Sequence, residues 1–171
     1  DHLRLEAKRS FTSTVSGTDL IVGARSGQLN LLLYTVFRIG NATNNINYQH
    51  YQQIARHPQV QWAIPLALGD SHKGFRVVGT NEDYFRYFRY GEKQQLSLAQ
   101  GRPFAGVYET VLGAEVARKL GYQLDQQITL SHGVGQISFA ENKDQPFTVV
   151  GILAPTGTPV DHSVHVSLQG I

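Results

Sequence analysis

The sequence predicts an α+β fold of mixed small sheets with helices, and three observations lead there. The pattern F-x-V-V-G occurs twice, at Phe75–Gly79 and Phe147–Gly151, each a short β-branched run closed by glycine. Val60, Trp62, Ile64, Leu66 and Leu68 alternate with other residues in a period of two, the signature of a strand with one buried face. Between the two F-x-V-V-G runs lie two stretches of helical spacing, Thr80–Tyr90 and Val111–Gly121. Strands and helices interspersed in this way fit a small mixed α/β unit whose sheet is covered on one side.

The bulk composition narrows the function classes. A chain of 171 residues suits one ordinary structural unit. Hydrophobic residues at 41% and charged residues at 16% mark a folded chain rather than a disordered one. Fifteen Lys+Arg against 13 Asp+Glu leave +2, with no run of like charge, so no nucleic acid partner is expected. Cysteine is absent, which excludes a disulfide framework, thiolate zinc sites and a cysteine nucleophile. Methionine is absent too, so Asp1 is expected to be a processed or excised beginning. The most apolar stretch, Leu29–Phe37, covers 9 residues, whereas a membrane-spanning helix needs about 20. No signal peptide pattern opens the chain.

In chain order, residues 1–14 read as a helix entering the domain, broken at Gly17. Asp19–Gly23 is a short strand. Gly23–Gly27 lacks the Lys-Ser/Thr of a phosphate loop and reads as a turn. Leu29–Phe37 follows as a buried strand or strand pair. Ile46–His57 has helical spacing and stops at Pro58, whose ring restricts His57. Pro65, inside the alternating strand, places that strand at an edge or bulge, and Gly69–Ser71 supplies the turn after it.

The second half is read in the same terms. Thr80 offers a capping hydroxyl to a helix that runs to Tyr90, ended by Gly91. Tyr84, Phe85, Tyr87 and Phe88 interleaved with Arg86 and Arg89 suit either a stacking platform for single strands or a stripe facing the core; the near-neutral charge favours the core. Val111–Gly121 reads as a helix throughout, with Leu112, Val116 and Leu120 on one face, Arg118 and Lys119 at its C-terminal end and Gly121 as its stop. Ile128–Leu130 is a strand, Ser131–Asp144 a polar loop, and Val164–Leu168 an alternating strand.

No catalytic constellation emerges. The neutral-pH candidates are His2, His50, His57, His72, His132, His162 and His165. Asp161, His162 and His165 are closest together, and a helix would present both imidazoles on one face to zinc. A strand sends positions three apart to opposite faces, and the alternation of Val164, Val166 and Leu168 favours the strand. The set Asp161, His162 and Ser163 is consecutive in sequence, where side chains diverge, and no G-x-S-x-G elbow is present. Asp125, Glu141 and Asp144 fall in loops without pairing. No catalytic, cofactor-binding or metal residue is assigned, and the substrate-binding residues stay open. The loop Ser131–Asp144 is the one contact surface singled out, against the plainer reading of a solvated hairpin.

Four segments together, Gly17–Gly23, Gly101–Phe104, Val111–Gly121 and Phe147–Asp161, resemble in order and spacing the periplasmic core domain of MacB-like permeases, the FtsX-type ABC transporters. The resemblance implies a porter-like subdomain, here residues 1–72 and partial, and a smaller Sabre-like α/β subdomain, residues 73–171, together one extracytoplasmic module. It implies a place on the periplasmic side of the bacterial inner membrane, between transmembrane helices of the same protein. It further implies a cytoplasmic ATPase subunit or domain as partner, a homo- or heterodimeric transporter, a periplasmic protein partner, and transmission of ATP-driven motion without catalysis in this domain. No cofactor is implied. The alternatives are a free periplasmic ligand-binding module with Trp62 and other aromatics lining its pocket, and a hydrolase using His162 or His165.

Overall fold

The computed structural model describes residues 18–26, 31–40, 53–91, 94–130 and 145–168. Strands dominate: β1 (Thr18–Ser26), β2 (Leu31–Gly40), β3 (Val60–His72), β4 (Phe75–Thr80), β5 (Arg89–Tyr90), β6 (Gln94–Gln95), β7 (Leu98–Gly101), β8 (Glu109–Leu112), β9 (Gln127–Ile128), β10 (Phe147–Leu153) and β11 (Ser163–Ser167). Helix α1 (Asp83–Tyr87) follows β4, α2 (Ala114–Leu120) follows β8, and a 3-10 turn (Pro159–His162) leads into β11. The mixed α+β class is as expected, and the strands collect mainly in one nine-stranded sheet of order β2-β1-β3-β4-β11-β8-β10-β7, with β9 on β10. Strands β5 and β6 form a separate ribbon.

The two F-x-V-V-G runs become β4 and β10, and β11 and β8 lie between them. β11 pairs parallel with β4 and antiparallel with β8, and β8 pairs parallel with β10. Adjacent valines in each run point to opposite faces. Val77 and Val149 therefore join one cluster with Val116 of α2, and Val150 joins another with Tyr84, Phe85 and Phe88. The centre of the sheet is thus covered on both faces, not on one as the sequence suggested.

Several element boundaries differ from expectation. The first part of Val111–Gly121 is strand: Val111 and Leu112 are fully buried in β8 between β10 and β11, and this pairing overrides the helical spacing. Only Ala114–Leu120 is helical, ending at Gly121 in the left-handed conformation expected of a helix stop. The turn after the alternating strand is not Gly69–Ser71. β3 continues to His72 through a register shift, and the hairpin reverses at Lys73 and Gly74, both with positive φ. Thr80 belongs to β4 rather than capping α1; the Asn81 side chain accepts from the Asp83 amide instead, at 3.0 Å. Helix α1 is five residues long and stops at Phe88, and Gly91, with the positive φ expected of it, sits after β5.

Pro65 is where its chemistry allows. At that point β3 pairs with β1, Pro65 facing Leu20, and β4 joins β3 only from Ala67 onward. Residues 53–55 are helical and end before Pro58, as expected; Ile54 and Ala55 pack against Leu20, Val22 and Ala63. Gly23–Ser26, expected as part of a turn, instead continue β1, because each pairs with a residue of β2, from Gly23 opposite Tyr34 to Ser26 opposite Leu31. Residues 1–14, Gly17, Gly27, residues 46–52 and the loop Ser131–Asp144 lie outside the described residues.

Candidate functional site

The most unusual chemistry of the described residues lies at the centre of the large sheet, beneath α1. On β11 the alternation places Val164 and Val166 on the face of α2. Ser163 and His165 occupy the other face. His165 is fully buried there. Its ring lies 5.1 Å from that of Tyr84 and 5.8 Å from that of Phe85, centroid to centroid. Phe85 in turn meets Phe104 edge to face at 5.2 Å, and Tyr84 stacks on Phe88 at 5.0 Å. The aromatic stripe of α1 is therefore a core stripe, with Arg86 left on the surface.

His165 is tied to the neighbouring strand. Its Nδ1 lies 2.9 Å from the Val111 carbonyl, and the Thr110 hydroxyl donates to the His165 carbonyl at 2.8 Å. Burial pushes the imidazole down to about pKa 4, against a smaller opposing effect of the Val111 hydrogen bond. The ring is neutral at pH 7 and enclosed by aromatic groups. Burial also pushes the Tyr84 hydroxyl upward, with the charge of Asp161 adding to the effect.

The remaining sequence candidates are separated. The Asp161 carboxylate accepts from the Thr156 amide, the Thr156 hydroxyl and the Gly157 amide, each at 2.8 Å. It thereby fixes the turn between β10 and β11. His162 is exposed and stacks against Phe75 at 6.1 Å, while the Ser163 hydroxyl donates to the Pro159 carbonyl at 2.9 Å. Asp161, His162 and Ser163 thus serve three different local partners and make no triad. Among the described residues no group of three or more His, Asp or Glu is arranged to hold a metal ion.

His57 accepts from the Gln59 amide, and His72 shares a 2.8 Å hydrogen bond with the Tyr122 hydroxyl. Burial, then the charge of Lys73, lowers the pKa of His72. Asp125 takes a positive φ in the turn before β9. His2, His50, His132, Glu141 and Asp144 lie outside the described residues. Trp62 is buried against Gly23 of β1 and stacks on Tyr87 at 6.0 Å, so its ring serves packing between β3 and α1.

Sequence reasoning missed one clasp. Glu109 accepts from Arg102 through both carboxylate oxygens, at 3.0 and 2.7 Å, and from the amides of Ala105 and Gly106 at 2.8 and 2.9 Å. Arg102, followed by the two amides, holds the Glu109 carboxyl down at about pKa 2. The signal was the turn Gly101–Phe104, which brings an arginine back toward the start of β8.

Nothing in this set of groups forms a catalytic pair. The chain matches the MacB-like periplasmic core domain over residues 5–171. It belongs to that family. A MacB-like domain is a periplasmic domain of an ABC transporter-type permease, and the family is one of transporter domains rather than of enzymes. No curated protein and no solved structure gives a significant match. Among the described residues of this MacB-like domain, no helix is long and apolar enough to cross a membrane.

Proposed function

We propose that this MacB-like domain transmits ATP-driven conformational change from the membrane to a substrate or protein partner in the periplasm, without catalysing a reaction itself. Family membership over residues 5–171 carries the reading. The sheet supports it: pairing runs unbroken from β2 to β7, so a displacement applied at one edge is carried by backbone hydrogen bonds to the other. Residues 1–72 form the porter-like part and 73–171 the Sabre-like part, meeting at the Lys73–Gly74 turn. The partners are the protein's own transmembrane helices and a cytoplasmic ATPase, in an FtsX-type homo- or heterodimeric transporter. The loop Ser131–Asp144 is the surface offered to a periplasmic partner.

The test uses the full permease assembled with its ATPase in lipid nanodiscs. This domain has no cysteine, so a spin label enters at the exposed Gln95 as Gln95→Cys in an otherwise cysteine-free transporter. Pulsed dipolar spectroscopy then measures the distance between labels on the two protomers. ATP hydrolysis is expected to shift the distance distribution by several ångström. Transport that continues with an unchanged distribution would remove the force-transmitting role.

A further inference from the structure

Two buried side-chain atoms among the described residues have no hydrogen-bond partner, His165 Nε2 and Thr80 Oγ1. Both residues are fully buried. A buried polar atom left unpaired loses its hydration without compensation, and two on adjacent strands call for a common explanation.

The hydrogen-bonding state of His165 follows from its other nitrogen. The Val111 carbonyl can only accept, so Nδ1 carries the proton and donates to it. In the neutral ring this leaves Nε2 as a lone-pair acceptor that needs a donor. The Thr80 hydroxyl is both donor and acceptor.

The register places the two on the same face. β4 and β11 run parallel with His165 opposite Val78 and Thr80 opposite Ser167. Positions 78 and 80 share a face by strand alternation, and paired residues of adjacent strands project to the same side. With strands about 4.8 Å apart and about 3.3 Å per residue, the Cα atoms of His165 and Thr80 are separated by about 8 Å. Side chains projecting to the same side at that separation can both be reached by one water oxygen at about 2.8 Å from each polar atom.

We infer that a single internal water molecule sits between β4 and β11 beneath α1, donating to His165 Nε2 and hydrogen-bonding Thr80 Oγ1. Such a water needs at least two polar partners, and these two atoms supply them. It ties a parallel strand pair together through side chains, at the point where the aromatic side chains of α1 seal the sheet from solvent. It also accounts for a polar histidine and threonine on a face otherwise lined by Val111, Tyr84 and Phe85.

The test uses the full 171-residue chain. Long-range ¹H–¹⁵N correlation spectra report the His165 tautomer, and water ¹⁷O relaxation dispersion counts long-lived internal waters. The expected result is an Nδ1–H tautomer, with one long-lived water present in the wild type and lost from both Thr80→Val and His165→Phe. The double variant should lose no more than either single variant. An Nε2–H tautomer, a water count unchanged by both substitutions, or a direct hydrogen bond from the Thr80 hydroxyl to Nε2 would each overturn the inference. Should a variant fail to fold, a high-resolution crystal structure of the wild type decides: density within hydrogen-bond distance of both atoms supports the water, and its absence from an ordered core rejects it.

Discussion

The His165 imidazole donates through Nδ1 to the Val111 carbonyl, 2.9 Å away on the adjacent antiparallel strand, so a side chain joins β11 to β8 inside the core. Its pKa in the fold, about 4, lies below the ordinary imidazole value of 6.5. Above pH 6.5 the ring is neutral folded and unfolded, and stability is unaffected by its titration. Between pH 6.5 and 4 the unfolded chain binds a proton that the folded chain excludes, so stability falls with pH, by up to roughly 3 kcal/mol. His165→Phe should flatten this part of the profile. Urea midpoints at pH 7 and pH 4.5 check it: an equal acid loss in wild type and variant would refute the assignment. His72 adds to the loss in both proteins, because its pKa is lowered as well.

Asp161 anchors the turn that opens toward β11. Replacing it with alanine removes three hydrogen bonds from Thr156 and Gly157, at an expected cost of about 2–3 kcal/mol. Urea unfolding should show a lower midpoint with an unchanged slope. His162→Ala, at the exposed neighbour, should leave the midpoint within about 0.5 kcal/mol of the wild type.

Two glycines bracketing α2 should respond to alanine for different reasons. At Gly113 a Cβ would lie 2.3 Å from the Val160 carbonyl oxygen and 2.5 Å from that of Asp161, so backbone must move, costing about 1–3 kcal/mol. At Gly121 nothing lies within 4 Å, and only the positive φ of 70° resists, costing about 1 kcal/mol. Thermal unfolding should therefore rank Gly113→Ala below Gly121→Ala, and the reverse order would show that the 3-10 turn yields easily.

Glu109 holds the loop between β7 and β8. Glu109→Ala should accelerate hydrogen exchange at the Ala105 and Gly106 amides by about tenfold, with little change in the centre of β10. The same clasp depends on pH. The Glu109 carboxyl in the fold lies at about 2 against 4.5 for the free group, so its contribution is complete above pH 4.5 and is lost as pH falls toward 2. Uniform exchange rates in both proteins at pH 7 would exclude the clasp as the source of protection.

Much of the strand content was legible because its signals are local. The alternation from Val60 to Leu68 reports burial on one face through a period of two, and the β-branched runs Phe75–Gly79 and Phe147–Gly151 report strands through composition; neighbouring residues alone create both signals. Gly121 was likewise readable as a helix stop, since the left-handed conformation it adopts is a property of one residue. The candidate site was not legible in this way. His165 stood out only as a histidine near Asp161 and His162, while the groups that enclose it, Tyr84, Phe85 and Val111, are 81, 80 and 54 residues away in sequence.

By itself the sequence determined the mixed α+β class, the buried aromatic stripe of α1, and a resemblance to MacB-like periplasmic domains that the match over residues 5–171 bears out. Each rests on spacing or ordered short segments, information carried within a few neighbouring positions. Only the tertiary structure decided that Val111 and Leu112 are strand, that both faces of the sheet are covered, and that Asp161, His162 and His165 serve different partners. Those outcomes depend on which strand lies beside which. β11 is inserted between β4 and β8, and the hydrogen bonds and burial it imposes outweigh the weaker helical preference of the residues it meets.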